Sequence, residues 1–140
     1  MLILDTDHLV EYQKGTSPAA QRLKQRLDES GEAFGTTIIT FEEVMRGWLA
    51  AIKRTNDPFR QVTAYSKLQQ LVRSFAAWDI LEWTTAAAAE FAELKKARVR
   101  GGTMDLKIAG IALANDATLL TRNLGDFQKI PGLRTIDWLS

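Results

Sequence analysis

The chain opens on an unbroken apolar run, "MLIL", closed by Asp5. A run this short, bounded by polar residues, fits a strand covered on both faces. A helix is expected from near Asp7 to Gly15. The next one, "TSPAAQRLKQRLDESG", is punctuated at both ends, with Ser17 as N-cap, Pro18 at the first helical position and Gly31 as the stop. "AFGTTII" is dense in β-branched residues from Thr36 to Ile39 and predicts a second strand, which gives way around Thr40 to the helical spacing of "TFEEVMRGWLAAIKR".

Asp57 and Pro58 reopen a helix to about Ala76, with Val62, Tyr65, Leu68, Leu71, Val72 and Phe75 on one face. "WDILEW" reads as a strand and Thr85 to Arg98 as an alanine-rich helix. After the loop "VRGGT", "MDLKIAGIALAND" reads as an amphipathic helix and "ATLLT" as a further buried strand. Arg122 to Gly132 is then expected to be a loop, and "RTIDWL" a short final edge strand. Strands separated by helices, none close enough for hairpins, require crossover connections. The expected fold class is α/β, with a central, mostly parallel β-sheet flanked by α-helices in one domain over residues 1–140.

Composition narrows the chemistry. Of the 140 residues, 46% are hydrophobic and 25% charged, which are values of a folded soluble protein. The N-terminus carries no basic stretch followed by an apolar region, so a cytoplasmic location is expected. With no cysteine and one histidine, a bound metal would be held mainly by oxygen, which points to hard cations such as Mg²⁺ or Mn²⁺. No G-x-S-x-G, H-E-x-x-H or P-loop sequence occurs. A net charge of +1 means that any nucleic-acid contact must come from a local basic patch.

Carboxylates remain. In an open parallel sheet, ligands bind beyond the carboxyl ends of the strands. Asp5 ends the first strand, Glu43 lies in the first turn of the helix after the second, and Asp126 follows "ATLLT". Asp105, in the first turn of the helix opened by "GGT", belongs near the same rim. Bringing such acids together is costly, because two unit charges about 4 Å apart repel by roughly 4 kcal/mol at an effective dielectric near 20. A divalent cation would remove that cost and could activate water against a phosphodiester. Each acid taken singly also fits a structural role. Thr40 and Glu43 satisfy the T-x-x-E capping box, and Asp105 suits the positive end of a helix dipole. Asp126 suits a solvated loop. Asp5 is the hardest to assign this way, since a charge at the end of a buried strand needs a partner.

The quoted segments resemble a known family. "LILDTDHLV" resembles the opening of the PIN-domain ribonucleases, particularly the VapC toxins of bacterial toxin-antitoxin pairs. "ITFEEVMRG" is similar to their IT-x-x-E-h-x-x-G segment, which aligns Glu43 and Gly47, and "GGTMDLKIAGIALANDATLLTRNLGDFQKIPGL" is similar to their last block. The resemblance implies an Mg²⁺- or Mn²⁺-dependent endoribonuclease. Asp5 and Asp105 would be the principal metal ligands, and Glu43 and Asp126 would complete the acidic set. Many relatives have a further aspartate where this chain has Asn123. Asn123, Thr6 and Asp7 are therefore expected to orient ligands or water, with Asp7 also a candidate N-cap. An asparagine at position 7 should then keep substantial activity. The resemblance further implies an RNA substrate, a homodimer and a small antitoxin that inserts into the catalytic groove. Arg46, Lys107, Arg122 and Lys129 are candidate phosphate contacts.

Two other classes fit parts of the sequence. A strand followed by D-x-D also resembles haloacid-dehalogenase-type phosphatases, with Asp5 as nucleophile and Asp7 as general acid/base, but this leaves Glu43 unexplained. The other is a non-catalytic RNA- or protein-binding module of the same fold, its acids serving as caps.

Overall fold

The computed structural model describes all residues, Met1–Ser140. Three apolar side chains on the first strand, β1 (Leu2–Leu4), alternate between two cores, as the period of two requires. Leu2 and Leu4 join a cluster with Leu9, Leu23, Leu27, Leu71, Phe75 and Leu120, whereas Ile3 points into a second cluster with Leu106, Ile108, Ile111, Leu119 and Phe127. The helices divide accordingly. The first cluster takes in α1 (Thr6–Lys14), α2 (Pro18–Ser30) and α4 (Gln61–Ala76), and the second α5 (Thr85–Lys96) and α6 (Thr103–Ala114). Between them, α3 (Ile38–Lys53) contributes Ile39 to the second cluster and packs Phe41 and Met45 against the first.

The sheet has five strands in the order β3-β2-β1-β4-β5, with every pairing parallel. Here β2 is Phe34–Thr37, β3 Ile80–Leu81, β4 Thr118–Leu120 and β5 Arg134–Ile136. Register is fixed by Ile3 opposite Gly35 and Leu119. The chain steps from β1 to β2 on one side and reaches β4 on the other. The carboxyl ends of β1 and β4 thus flank the topological switch point, where a crevice is left open. The α/β class, the mostly parallel sheet and the final edge strand are as expected.

Four expectations need correction. First, α3 begins at Ile38, two residues before Thr40. Thr37 is its N-cap, with Oγ1 accepting from the Thr40 N–H at 3.0 Å, so Ile38 and Ile39 are helical despite their β-branched side chains. Second, α6 is not amphipathic. Leu106, Ile108, Ala109, Gly110, Ile111 and Ala112 are all buried, because α5 covers it on one side and the sheet on the other. Third, the stretch after β4 contains a short helix, α7 (Leu124–Phe127), whose Phe127 is fully buried. Fourth, α4 turns only Ala64, Leu68, Leu71 and Phe75 inward and leaves Val62, Tyr65 and Val72 exposed.

Candidate active site

The groove at the switch point is open, about 500 Å³, and lined by Asp5, Thr6, Asp7, Val10, Glu11, Lys14, Glu43, Asp105, Arg122 and Asn123. One of its ten lining residues is hydrophobic, which suits a charged ligand better than an apolar one.

Asp5 is held most firmly. Its Oδ1 accepts from the Thr6 N–H and its Oδ2 from the Thr121 hydroxyl, both at 2.8 Å. The first bond makes Asp5 the N-cap of α1, which corrects the assignment of that role to Asp7. Burial raises the Asp5 pKa. The bonds from Thr6 and Thr121 oppose the shift, and the charges of Asp7 and Asp105 add to it. Asp7 sits inside the first turn. Its Oδ1 lies 2.6 Å from His8 Nδ1, and its Oδ2 accepts from the Arg122 N–H at 3.0 Å. Burial pushes Asp7 up, but the bonds from His8 and Arg122 outweigh it and leave the carboxyl below its usual range. A general acid needs the opposite shift and a free oxygen. The phosphatase alternative, which gives Asp7 that role, is therefore not favoured.

Glu43 lies on α3, beyond the turn capped by Thr37. Thr40 is the partner of that cap and not a cap itself, so the T-x-x-E box does not form and nothing structural claims the Glu43 carboxylate. Burial, then the charges of Asp5, Asp105 and Glu42, raise it to about 6. Burial also raises Asp105, helped by Asp126. The raised value of Glu43 has a consequence for stability. Between pH 4.5, its ordinary value, and about 6, the folded chain holds more protons than the unfolded one, so the slope of unfolding free energy with pH is negative. Stability of the protein in chelator should fall as pH rises through this window, and Glu43→Gln should flatten the dependence. Denaturant midpoints at a series of pH values check it.

The structure thus brings Asp5, Glu43 and Asp105 together, with Thr6, Asp7, Arg122 and Asn123 around them. Asp126 does not line the groove. It sits exposed in the first turn of α7, close enough to Asp105 to affect its charge. Three of the four basic candidates lie elsewhere. Arg46 is paired with Glu42 at 2.5 Å, Lys107 packs over the rings of Trp83 and Phe91 at 5.8 and 6.0 Å, and Lys129 is exposed outside the groove. Sequence reasoning missed Lys14 and Glu11. The signal was present, since residues 7, 10, 11 and 14 share one face of a helix.

The donor set suits a hard cation: every acid is an oxygen ligand, and burial, with repulsion from neighbouring acids (Asp126 in the case of Asp105), holds Asp5, Glu43 and Asp105 above their ordinary values. Thr6 Oγ1 in the same groove is buried with no hydrogen-bond partner. No three acids are closed up into a ready-made ligand set; they surround the groove without meeting at one point.

A parallel sheet with acids gathered at its switch point defines an α/β protein whose site is built from carboxylates. A family model described as the PIN domain matches residues 2–133, and the chain belongs to the PIN-domain family. It is 25% identical to Ribonuclease VapC1 of Rickettsia felis over 96% of this chain and 94% of that protein. It is 34% identical to the tRNA(fMet)-specific endonuclease VapC of Salmonella typhimurium over 64 residues, 43% of this chain and 48% of that one. Among solved structures, VapBC-1 from nontypeable Haemophilus influenzae superposes with a TM-score of 0.70 at 21% identity, covering 99% of this chain and 98% of that one. VapBC2 from Rickettsia felis, bound to a promoter DNA fragment, gives 0.68 at 21% identity over 98% of each. At that identity the structures speak for the fold.

Proposed function

We propose that the chain is a divalent-metal-dependent endoribonuclease and the toxin of a toxin-antitoxin pair. The observation that carries this is the convergence of Asp5, Glu43 and Asp105 on one open groove, with no cap or ion pair to explain Glu43. The VapC relatives support it by name. Mg²⁺ or Mn²⁺ would be held by Asp5, Glu43 and Asp105, with Asp126 beside Asp105; when bound, such an ion supplies an activated water and neutralises charge on the phosphodiester.

The chain's own residues do the rest. Thr121 and the Thr6 N–H fix both oxygens of Asp5, so its orientation does not have to be found anew for each substrate. Glu43, pushed up to about 6 by burial and by the charges of Asp5, Asp105 and Glu42, gains most from a cation in the groove, which would return its carboxyl to the charged form. Arg122 and Lys14 line the groove and can offset the charge of an RNA backbone. A second trough, lined by Val10, Lys14, Val44, Trp48, Lys67 and Leu71 among others, shares Val10 and Lys14 with the acidic groove, which suits a partner chain running into it. We extend the proposal to a small antitoxin in that path, a homodimer and a cytoplasmic location. No helix is long and apolar enough to cross a membrane.

The test is induced expression with and without the small reading frame beside the gene, followed by RNA analysis. Growth arrest and cleaved RNA are expected only when the chain is expressed alone. Equal growth and intact RNA in every arm would overturn the proposal. Mn²⁺ titration addresses the non-catalytic module, for which Asp5→Asn should leave Mn²⁺ binding unchanged.

A further inference from the structure

A buried imidazole lies behind the groove, and the chemistry described above makes no use of it. His8 is fully buried, and both of its nitrogens are engaged. Nε2 receives the backbone N–H of Trp138 at 3.1 Å, across 130 residues of chain. An amide N–H can only donate, so Nε2 must accept, and the neutral ring carries its proton on Nδ1. Nδ1 faces Asp7 Oδ1 at 2.6 Å and donates to it. The nearest alternative partner, Asp137 Oδ1, is 3.7 Å from Nε2 and already accepts from the Leu139 N–H at 2.8 Å.

The linkage continues towards the acids. Asp7 Oδ2 receives the Arg122 N–H at 3.0 Å, and Arg122 follows Thr121 directly. Thr121 Oγ1 accepts from the Asn123 N–H at 3.0 Å and donates to Asp5 Oδ2 at 2.8 Å. The segment 121–123 that forms one wall of the groove is thus tied to Asp5 through Thr121 and to Asp7 through Arg122. Rotating the Asp7 carboxylate would release the Arg122 N–H and loosen the hydroxyl that orients Asp5.

We infer that His8 is a positioning residue of the acidic groove, which locks Asp7 and through it the Thr121–Asn123 wall, and whose tautomer is set by the C-terminal segment at Trp138. The catalytic part rests on the nuclease proposal; the linkage itself does not. A core histidine that merely fills space would be expected to matter for stability alone. A positioning histidine matters through Nδ1 in particular.

Two amides separate these roles. In His8→Asn the side-chain NH₂ falls near the position of Nδ1 and can still donate to Asp7, but the acceptor for Trp138 is lost. In His8→Gln the amide falls near Nε2 and can still accept from Trp138, but the donor to Asp7 is lost. His8→Gln is expected to lower kcat for RNA cleavage by about 10-fold or more with little change in KM, and to speed amide hydrogen exchange at Arg122 and Asn123. His8→Asn is expected to keep kcat within about 3-fold of wild type, a smaller loss than the range for breaking such a contact, while losing more thermal stability than His8→Gln. Because the chain has one histidine, the nitrogen spectrum of its imidazole is unambiguous, and it should show the proton on Nδ1 and a bare, accepting Nε2. A ring protonated at Nε2, or activity losses in both variants that simply follow their loss of stability, would overturn the inference. If the wild type proves inactive on RNA, the nuclease proposal fails separately. The tautomer and the Arg122 exchange then still decide whether the linkage exists.

Discussion

Asp5→Asn is expected to lower kcat/KM for RNA cleavage roughly a thousandfold, equivalent to about 4 kcal/mol of transition-state stabilisation, while Asp7→Asn costs nearer 10-fold. The two aspartates stand one residue apart and share the Thr121–Asn123 segment, yet their surroundings divide them. Asp5 is buried, its pKa is raised, and it is one of the three acids that line the groove with raised values. Asparagine keeps its shape and an oxygen for the Thr6 N–H but removes the charge on which cation binding depends. Removing that charge also relieves repulsion with Asp105 and Glu43, so the folded protein in chelator should be no less stable than wild type. Asp7, by contrast, has a lowered pKa and no part in that convergence. Its asparagine variant offers one acceptor oxygen to two donors, the Arg122 N–H and His8 Nδ1–H, and turns its NH₂ towards one of them. The substitution is therefore harsher than the sequence suggests, but it acts only through position. Single-turnover cleavage with Mn²⁺, alongside unfolding curves in chelator, reads both variants. Near-normal cleavage by Asp5→Asn with loss in Asp7→Asn would mean that the groove uses the other aspartate.

The strands at the centre were legible because their physics is local. "MLIL" is apolar without interruption, "ATLLT" adds only two β-branched threonines to its apolar residues, and both strands are covered on two faces by helices. Convergence of Asp5, Glu43 and Asp105 was also within reach, since strand ends in a parallel sheet share one rim. The errors came where two local signals had the same spacing. Thr37 and Thr40 stand three apart, as do Thr40 and Glu43, so the sequence offered two caps in a row. The first was chosen because it lets the Thr40 N–H find an acceptor at the end of β2. That choice moves Glu43 from the capping turn to the groove.

Other parts depended on long-range packing that no short window contains. The inward face of α6 cannot be read from its own pattern, because both faces are apolar and the covering element, α5, lies earlier in the chain. Exposure of Val62, Tyr65 and Val72 follows from which face α4 turns towards α3, where Phe75 meets Phe41 edge to face at 5.0 Å. The role of His8 was invisible for the same reason. Its acceptor nitrogen is satisfied by a backbone amide near the other terminus.

Gly35→Ala is expected to destabilise the fold by about 3 kcal/mol, against a small gain of about 1 kcal/mol for Gly47→Ala. Gly35 is buried in β2 opposite Ile3, and a Cβ there would lie 2.4 Å from the carbonyl oxygen of Asp79 and 3.2 Å from its Cβ. No real contact is that short, so one strand must move. The Asp79 carbonyl cannot simply yield, because it accepts from the Thr36 N–H at 2.9 Å in the bond that brings β3 alongside β2. β3 is two residues long, so losing that bond removes a large share of its pairing. The displacement lands beside Thr37, the cap of the helix that carries Glu43, and some loss of cleavage should therefore accompany the loss of stability. Gly47 has nothing within 4 Å of an added Cβ and sits inside α3, where alanine is simply the better helix former. Denaturant midpoints with unchanged slopes check both variants. An unshifted midpoint for Gly35→Ala would mean that β3 gives way freely, and that the edge of the sheet lies outside the cooperative unit that holds the acids in place.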